Sequence, residues 1–353
     1  MDNARDSYSR HQTFLEKYYN GQVNKFLPFL RSVAAIIRKQ LQNDLTSLNR
    51  KRYNEKLSLI ESLVNAEYKE FTKQLSGEMK DFSASEADFA AGFFDDADNG
   101  VNLVLPSPRQ TIAAVKARPF LNTTLTSELN NFSKSQSALI KNAINTGFLE
   151  GKTTAEIVKE VIGTASQKFK DGTLRITATK AERMVRTSLA HVASETKNSI
   201  FVDNEDLIPY YEWVSTLDGI TSTTCKGLDG QVWRVGKGPL PPAHPNCRAT
   251  TSPLLEEDVK VSKNKKGEEV LKRVDQGGER ASQNGPVDGN LNYNDWLGKQ
   301  SKEFQVETLG PSRAKLFRDG NLKMDKFIND KNEELTLDEL RSKYPTAWKK
   351  ASI

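Results

Sequence analysis

The sequence predicts an α+β fold that is predominantly helical: long N-terminal helices, a small Cys/His-bearing β-rich module, and a short helical C-terminal tail. Three observations carry this. Apolar residues recur at helical spacing through most of the first 200 positions. From Tyr210 to Pro253 the chain turns rich in Thr, Gly, Pro and aromatics, with short strand-like runs. Both cysteines, Cys225 and Cys247, fall inside that second stretch. At about 150 residues per domain, 353 residues imply two or three domains. The expected divisions are a helical arm over 1–105, a central domain over 106–275, a linker over 276–292 and a helical tail over 293–353.

Between Thr13 and Leu45, Leu15, Tyr19, Val23, Phe26, Leu30, Val33, Ile37 and Leu41 step by three or four. That spacing predicts one amphipathic helix, kinked or broken at Pro28. Leu57, Ile60, Leu63, Val64, Tyr68 and Phe71 form the face of a second helix, paired with the first as a hairpin. Phe93 to Arg118 reads as a connector. Its acidic run Asp95 to Gly100 invites a calcium loop, but oxygen ligands would have to alternate and end on a Glu, so a solvated loop is expected.

Helices resume from Leu125 to Gly163. Thr153 and Glu156 form a capping-box pattern, and Gly163 is placed to end that helix. Another helix is expected from Ala178 to Phe201, with Met184, Val185, Leu189, Val192 and Ala193 inside. YYEWV and QVWRV read as strands, with RATTSPL as a third. KNKKGEE, within Glu256 to Arg273, reads as a hairpin turn. The Gly-, Ser- and Asn-rich stretch from Asp275 to Asn290 reads as a flexible linker. A single helix is expected from Asn292 to Gly310, burying Trp296, Leu297, Phe304 and Leu309. A last helix is capped by Thr336 and Glu339.

Bulk properties narrow the function. The net charge of +5 is a mild bias, not the dense field of a dedicated nucleic-acid binder. Two cysteines do not make a secreted disulfide framework. The N-terminus MDNARDSYSRHQ has no apolar core of a signal peptide, and no apolar run is long enough to span a bilayer. The expectation is a soluble protein made in a reducing cytoplasm.

Cys225, His244 and Cys247 are the concentrated metal-ligand types. His244 and Cys247, in HPNC, are spaced so that both can turn to one ion, with Cys225 returning from across the small sheet. Thiolate and imidazole suit zinc better than calcium or magnesium. A structural site wants four ligands, and Asp218 is the nearest candidate for the missing one. Three readings compete: a structural zinc site, a Cys225–Cys247 disulfide, and two buried free thiols beside a hydrogen-bonded histidine. A nucleophilic Cys–His pair is disfavoured, because Cys247 lies close to His244 and no third orienting group is apparent. No phosphate-binding, nucleophile-elbow, zincin or dinucleotide motif is present, so no catalytic or cofactor-binding residue is assigned. Arg186 and His191 are separated by roughly 500° of helical rotation and do not share a face.

The stretch WVSTLDGITSTTCKGLDGQVWRVGKGPLPPAHPNCRATTSPL resembles the core of the MuF-like family of phage minor head proteins. The resemblance rests on Trp213, Asp218, Cys225, Asp229–Gly230, Trp233, Pro241–Pro242, His244, Asn246, Cys247 and Arg248. The family often carries Arg-Thr-Glu on the preceding helix; here it is Arg186-Thr187-Ser188. The tail, with WLGKQ, LGPSR and LTLDEL, resembles one that often follows this module in phage head proteins. The resemblance implies a minor capsid or head morphogenesis protein of the virion, partnered by portal and major capsid proteins and by packaged DNA, and not an enzyme. Two alternatives stay open: an ADP-ribosyltransferase-like enzyme using Arg186, and a nucleic-acid-binding module stapled by zinc.

Overall fold

The computed structural model describes residues 4–42, 45, 48–95, 103–164, 166–167 and 170–353. The Asp95–Gly100 run considered as a calcium loop lies outside the described residues, apart from the backbone of Asp95. The fold is mainly helical with small antiparallel sheets, as the sequence predicts. In chain order the helices begin with α1 (Ala4–Phe26), α2 (Phe29–Gln40) and α3 (Arg50–Asp95). Pro28 does break the first stripe, and it stands as the N-cap of α2. The expected connector holds a helix of its own, α4 (Pro108–Ala117). Its proline takes the first helical position, where a missing N–H costs nothing. Strands β1 (Pro119–Phe120) and β2 (Thr123–Thr124) precede α5 (Leu125–Leu149), α6 (Thr154–Ile162) and α7 (Thr173–Asp203).

The chain divides into two compact units, and their boundaries fall inside α1, α3, α4 and α7. The first to be described comprises Tyr18–Ser83 and Val115–Val192 and is helical but for β1 and β2. Its core is the predicted stripes: Tyr19, Val23, Val33 and Ile37 are buried, as are Ile60, Val64, Tyr68 and Phe71. Aromatics knit them together, with Phe29 stacked on Phe71 at 4.6 Å and Phe132 edge-on to Tyr68 at 5.8 Å. Glu78 accepts hydrogen bonds from Tyr18 and Gln22, each at 2.7 Å, and from Lys25 at 2.5 Å. Burial alone would raise its pKa, but these donors outweigh it and hold the carboxyl below its ordinary value. Thr153 and Glu156 form the expected capping box, and Gly163 caps the other end of α6 at φ 93°.

The second unit comprises Met1–Lys17, Ala84–Ala114 and Ala193–Ile353. Its centre is a three-stranded antiparallel sheet ordered β4-β3-β5, from β3 (Tyr210–Ser215), β4 (Val232–Arg234) and β5 (Ala249–Leu254). Trp213 pairs with Thr251, and β3 and β5 are buried along their whole length. Between β3 and β4 the chain makes a short helix, α8 (Thr223–Leu228). Strands β6 (Val259–Lys263) and β7 (Glu269–Arg273) form the expected hairpin.

The flexible linker expected over 276–292 is corrected by the structure. It holds a hairpin of β8 (Glu279–Ser282) and β9 (Gly285–Asp288), and Arg280 within it is fully buried. Arg280 makes a two-pronged ion pair with Asp229, at 2.6 and 2.9 Å, and donates to the carbonyls of Ser215 and Leu291. Asp229 also accepts the backbone N–H groups of Ser215 and Tyr293. Glycine and serine composition suits a hairpin turn as well as a linker, which is why composition alone misled.

The tail contains α9 (Tyr293–Gly298), α10 (Lys302–Leu309), α11 (Pro311–Arg318), α12 (Leu337–Lys343) and α13 (Pro345–Lys350). The single helix expected to Gly310 is two helices. Ser301 interrupts it by capping α10, accepting the Phe304 N–H at 3.1 Å. Thr336 and Glu339 form the expected box on α12. Trp296, Leu297 and Leu309 are buried and Phe304 half-buried, in a core that Leu217, just after β3, also enters.

Candidate metal centre

Cys225 stands in the first turn of α8 because Ser222 caps that helix, accepting the Cys225 N–H at 3.2 Å. The indole of Trp213 donates to Ser215 Oγ at 2.9 Å, and Ser215 Oγ donates to the Cys225 carbonyl at 2.8 Å, so β3 holds α8 in place. The other two residues arrive on the segment between β4 and β5. Tyr211 of β3 ties that segment down by donating to the Pro239 carbonyl at 3.0 Å. Gly238, at φ 85°, lies so close to the Trp233 ring that a Cβ would sit 2.3 Å from it. Pro241–Pro242 is a cis peptide, and Asn246 adopts the left-handed region at φ 58°, which Asn tolerates.

The structure brings together all three residues singled out from sequence. The ligand atoms of Cys225, His244 and Cys247 lie within 4.8 Å of one another, close enough to form a possible metal site. Cys225 Sγ is 3.4 Å from Cys247 Sγ and 3.2 Å from His244 Nε2. Both thiols are free and buried. The imidazole is oriented from behind, with Nδ1 2.9 Å from the Pro245 carbonyl, so that Nε2 faces the sulfurs. Ser222 Oγ lies 2.6 Å from the same Nε2.

The electrostatics separate the two sulfurs. The hydrogen bond with Cys247, reinforced by burial, pushes the Cys225 thiol well up. The same hydrogen bond, with help from His244 and against burial, holds Cys247 well down. Backbone hydrogen bonds from Arg248 to Cys225 and from Ala243 to Cys247 favour the thiolates. Burial opposes a charge on His244, but contact with Cys247 prevails and its pKa rises.

Asp218, the candidate fourth ligand, does not join them. Its carboxylate is taken by Arg248, at 2.7 and 2.8 Å, and by the backbone N–H groups of Ile220 and Thr221. Arg248 also pairs with Glu16 at 2.5 Å. Asp229 goes to Arg280 instead of the sulfurs. Arg186, the residue an ADP-ribosyl-transfer reading would need, donates to Asn20 at 2.6 Å and lies over the Tyr19 ring. His191 bonds the Val115 carbonyl. His11 meets Glu86 at 2.7 Å and stacks on Phe89 at 3.6 Å.

Sequence reasoning missed Ser222 and the ion-pair framework around the module. Ser222 carried a signal, since a Ser three residues before Cys225 fits an N-cap. The pairs Arg280–Asp229 and Arg5–Glu212, the latter at 3.1 Å, carried none, because their partners are distant in sequence.

No curated protein and no solved structure matches this chain. A family model described as phage Mu protein F like protein matches residues 138–252, which run from within α5 to β5 and contain the whole Cys/His site. Over that segment, which ends before the β8–β9 hairpin and the helical tail, the chain is similar to the phage Mu protein F-like family.

Proposed function

We propose that this chain is a minor capsid protein of a tailed phage, a structural factor in head morphogenesis that acts at the portal or the inner capsid surface and is carried in the virion. The observation that supports the reading is the family match over 138–252. Portal and major capsid proteins are its partners in this reading, with packaged DNA as a further contact. The buried polar groups agree with a scaffold. Asp229, Glu212, Asp218 and Glu16 each face a cation from elsewhere in the unit, a use of charge that fixes geometry and leaves no carboxylate poised for proton transfer among them. In this reading the protein is not an enzyme. No helix among the described residues is long and apolar enough to cross a membrane.

The test is head assembly from the parent phage genes with this chain's gene intact or deleted. The expected result is that deletion lowers the yield of infectious, DNA-filled heads at least about tenfold, a loss restored by supplying the chain in trans. Equal titres with and without the gene would overturn the role.

A further inference from the structure

We propose that Cys225, His244 and Cys247 bind one thiophilic divalent cation, zinc by the chemistry of the set, through three protein atoms and with a fourth position open to solvent beside Ser222. Two sulfurs and one imidazole nitrogen converge from separate segments, the start of α8 and the HPNC turn. In a tetrahedral zinc site with bonds of about 2.3 Å to sulfur and 2.0 Å to nitrogen, ligand atoms stand ~3.5–3.8 Å apart. The observed 3.4 Å between sulfurs and 3.2 Å from sulfur to nitrogen need an opening of only a few tenths of an ångström. The ring already presents Nε2, because Nδ1 faces the Pro245 carbonyl, the usual outer contact of a metal-bound histidine.

Charge points the same way. Two clustered sulfurs invite a cation, and the nearby side-chain cations are committed elsewhere. Arg248 holds Asp218 and Glu16, and Lys226 donates to the Thr308 carbonyl at 3.1 Å. Soft thiolates select zinc over calcium or magnesium.

The count of three distinguishes this site from a closed structural one. With Asp218 bound to Arg248, no further His, Cys, Asp or Glu among the described residues joins the cluster. The added oxygen nearby is the Ser222 hydroxyl, and Ser222 and His244 are both half-buried while the two cysteines are buried, which puts the proposed open fourth position on the Ser222 side. Zinc bound here joins α8 to the HPNC turn, across the core formed by Trp213, Leu228 and Ala249.

The test uses the full chain, purified under reducing, chelator-free conditions, with elemental analysis and cobalt substitution. The expected result is about one zinc per chain. The cobalt form should show near-ultraviolet thiolate bands and the intense visible bands of a tetrahedral site, and these should shift on adding imidazole or azide. Cys225→Ser and Cys247→Ser should each remove most of the near-ultraviolet intensity, and His244→Ala should weaken zinc binding at least about tenfold. A folded, reduced wild-type chain that takes up neither zinc nor cobalt would overturn the site. So would a chain whose mass shows Cys225 and Cys247 joined under the same conditions. Cobalt bands that ignore added imidazole and azide would overturn the open position.

Discussion

His191 sits on α7 with Nε2 3.0 Å from the Val115 carbonyl and its ring edge-on to Phe120 at 5.2 Å. Donation to that carbonyl requires the proton on Nε2. Burial disfavours the charged ring, and although the carbonyl contact works the other way, the pKa falls below the ordinary 6.5. In the unfolded chain the same histidine takes a proton near pH 6.5. Above that pH both states are neutral and the residue adds no pH dependence. As pH falls below 6.5 the unfolded state binds the proton first, so stability is lost until the folded pKa is reached. Urea midpoints for wild type and His191→Gln at pH 7 and pH 5 test this. The wild type should lose more stability than the variant, whose side chain keeps an N–H for Val115. Equal losses would mean that His191 is charged in the folded protein. Sequence placed this histidine on a helix but did not reveal its partner, because Val115 lies 76 positions away.

Elements were legible where the signal is local. Helical stripes, the capping boxes at Thr153 and Thr336 and the β6–β7 turn need only a few neighbouring residues to specify them. The β8–β9 hairpin was not legible, because Arg280 and Asp229 stand 51 positions apart and nothing in Gly/Ser/Asn composition announces a buried arginine. For the same reason HPNC was legible as a local pattern, while Arg248 reaching Asp218, the nearest candidate for a fourth ligand, is a tertiary fact that was not. Arg280→Met leaves Asp229 buried without its cation, a defect of about 3–5 kcal/mol. Limited proteolysis with mass readout should then show early cleavage within 276–292 in the variant and resistance there in the wild type. Equal resistance in both would show that the hairpin is held by something other than this pair.

At the scale of the whole molecule, the division into two units was beyond the sequence because its boundaries fall within continuous helices. An apolar stripe tells that a helix is covered, not by what. The family match is likewise regional: it covers residues 138–252, while the tail shares a core with Leu217. The central claim, that the chain is a component of a phage head, is tested most directly by its presence in the particle. Heads purified by gradient after nuclease treatment should contain this protein at a few copies per portal by quantitative mass spectrometry, resistant to a salt wash. Heads that carry portal and major capsid protein in full measure, with this chain found only in the unassembled fraction, would contradict it.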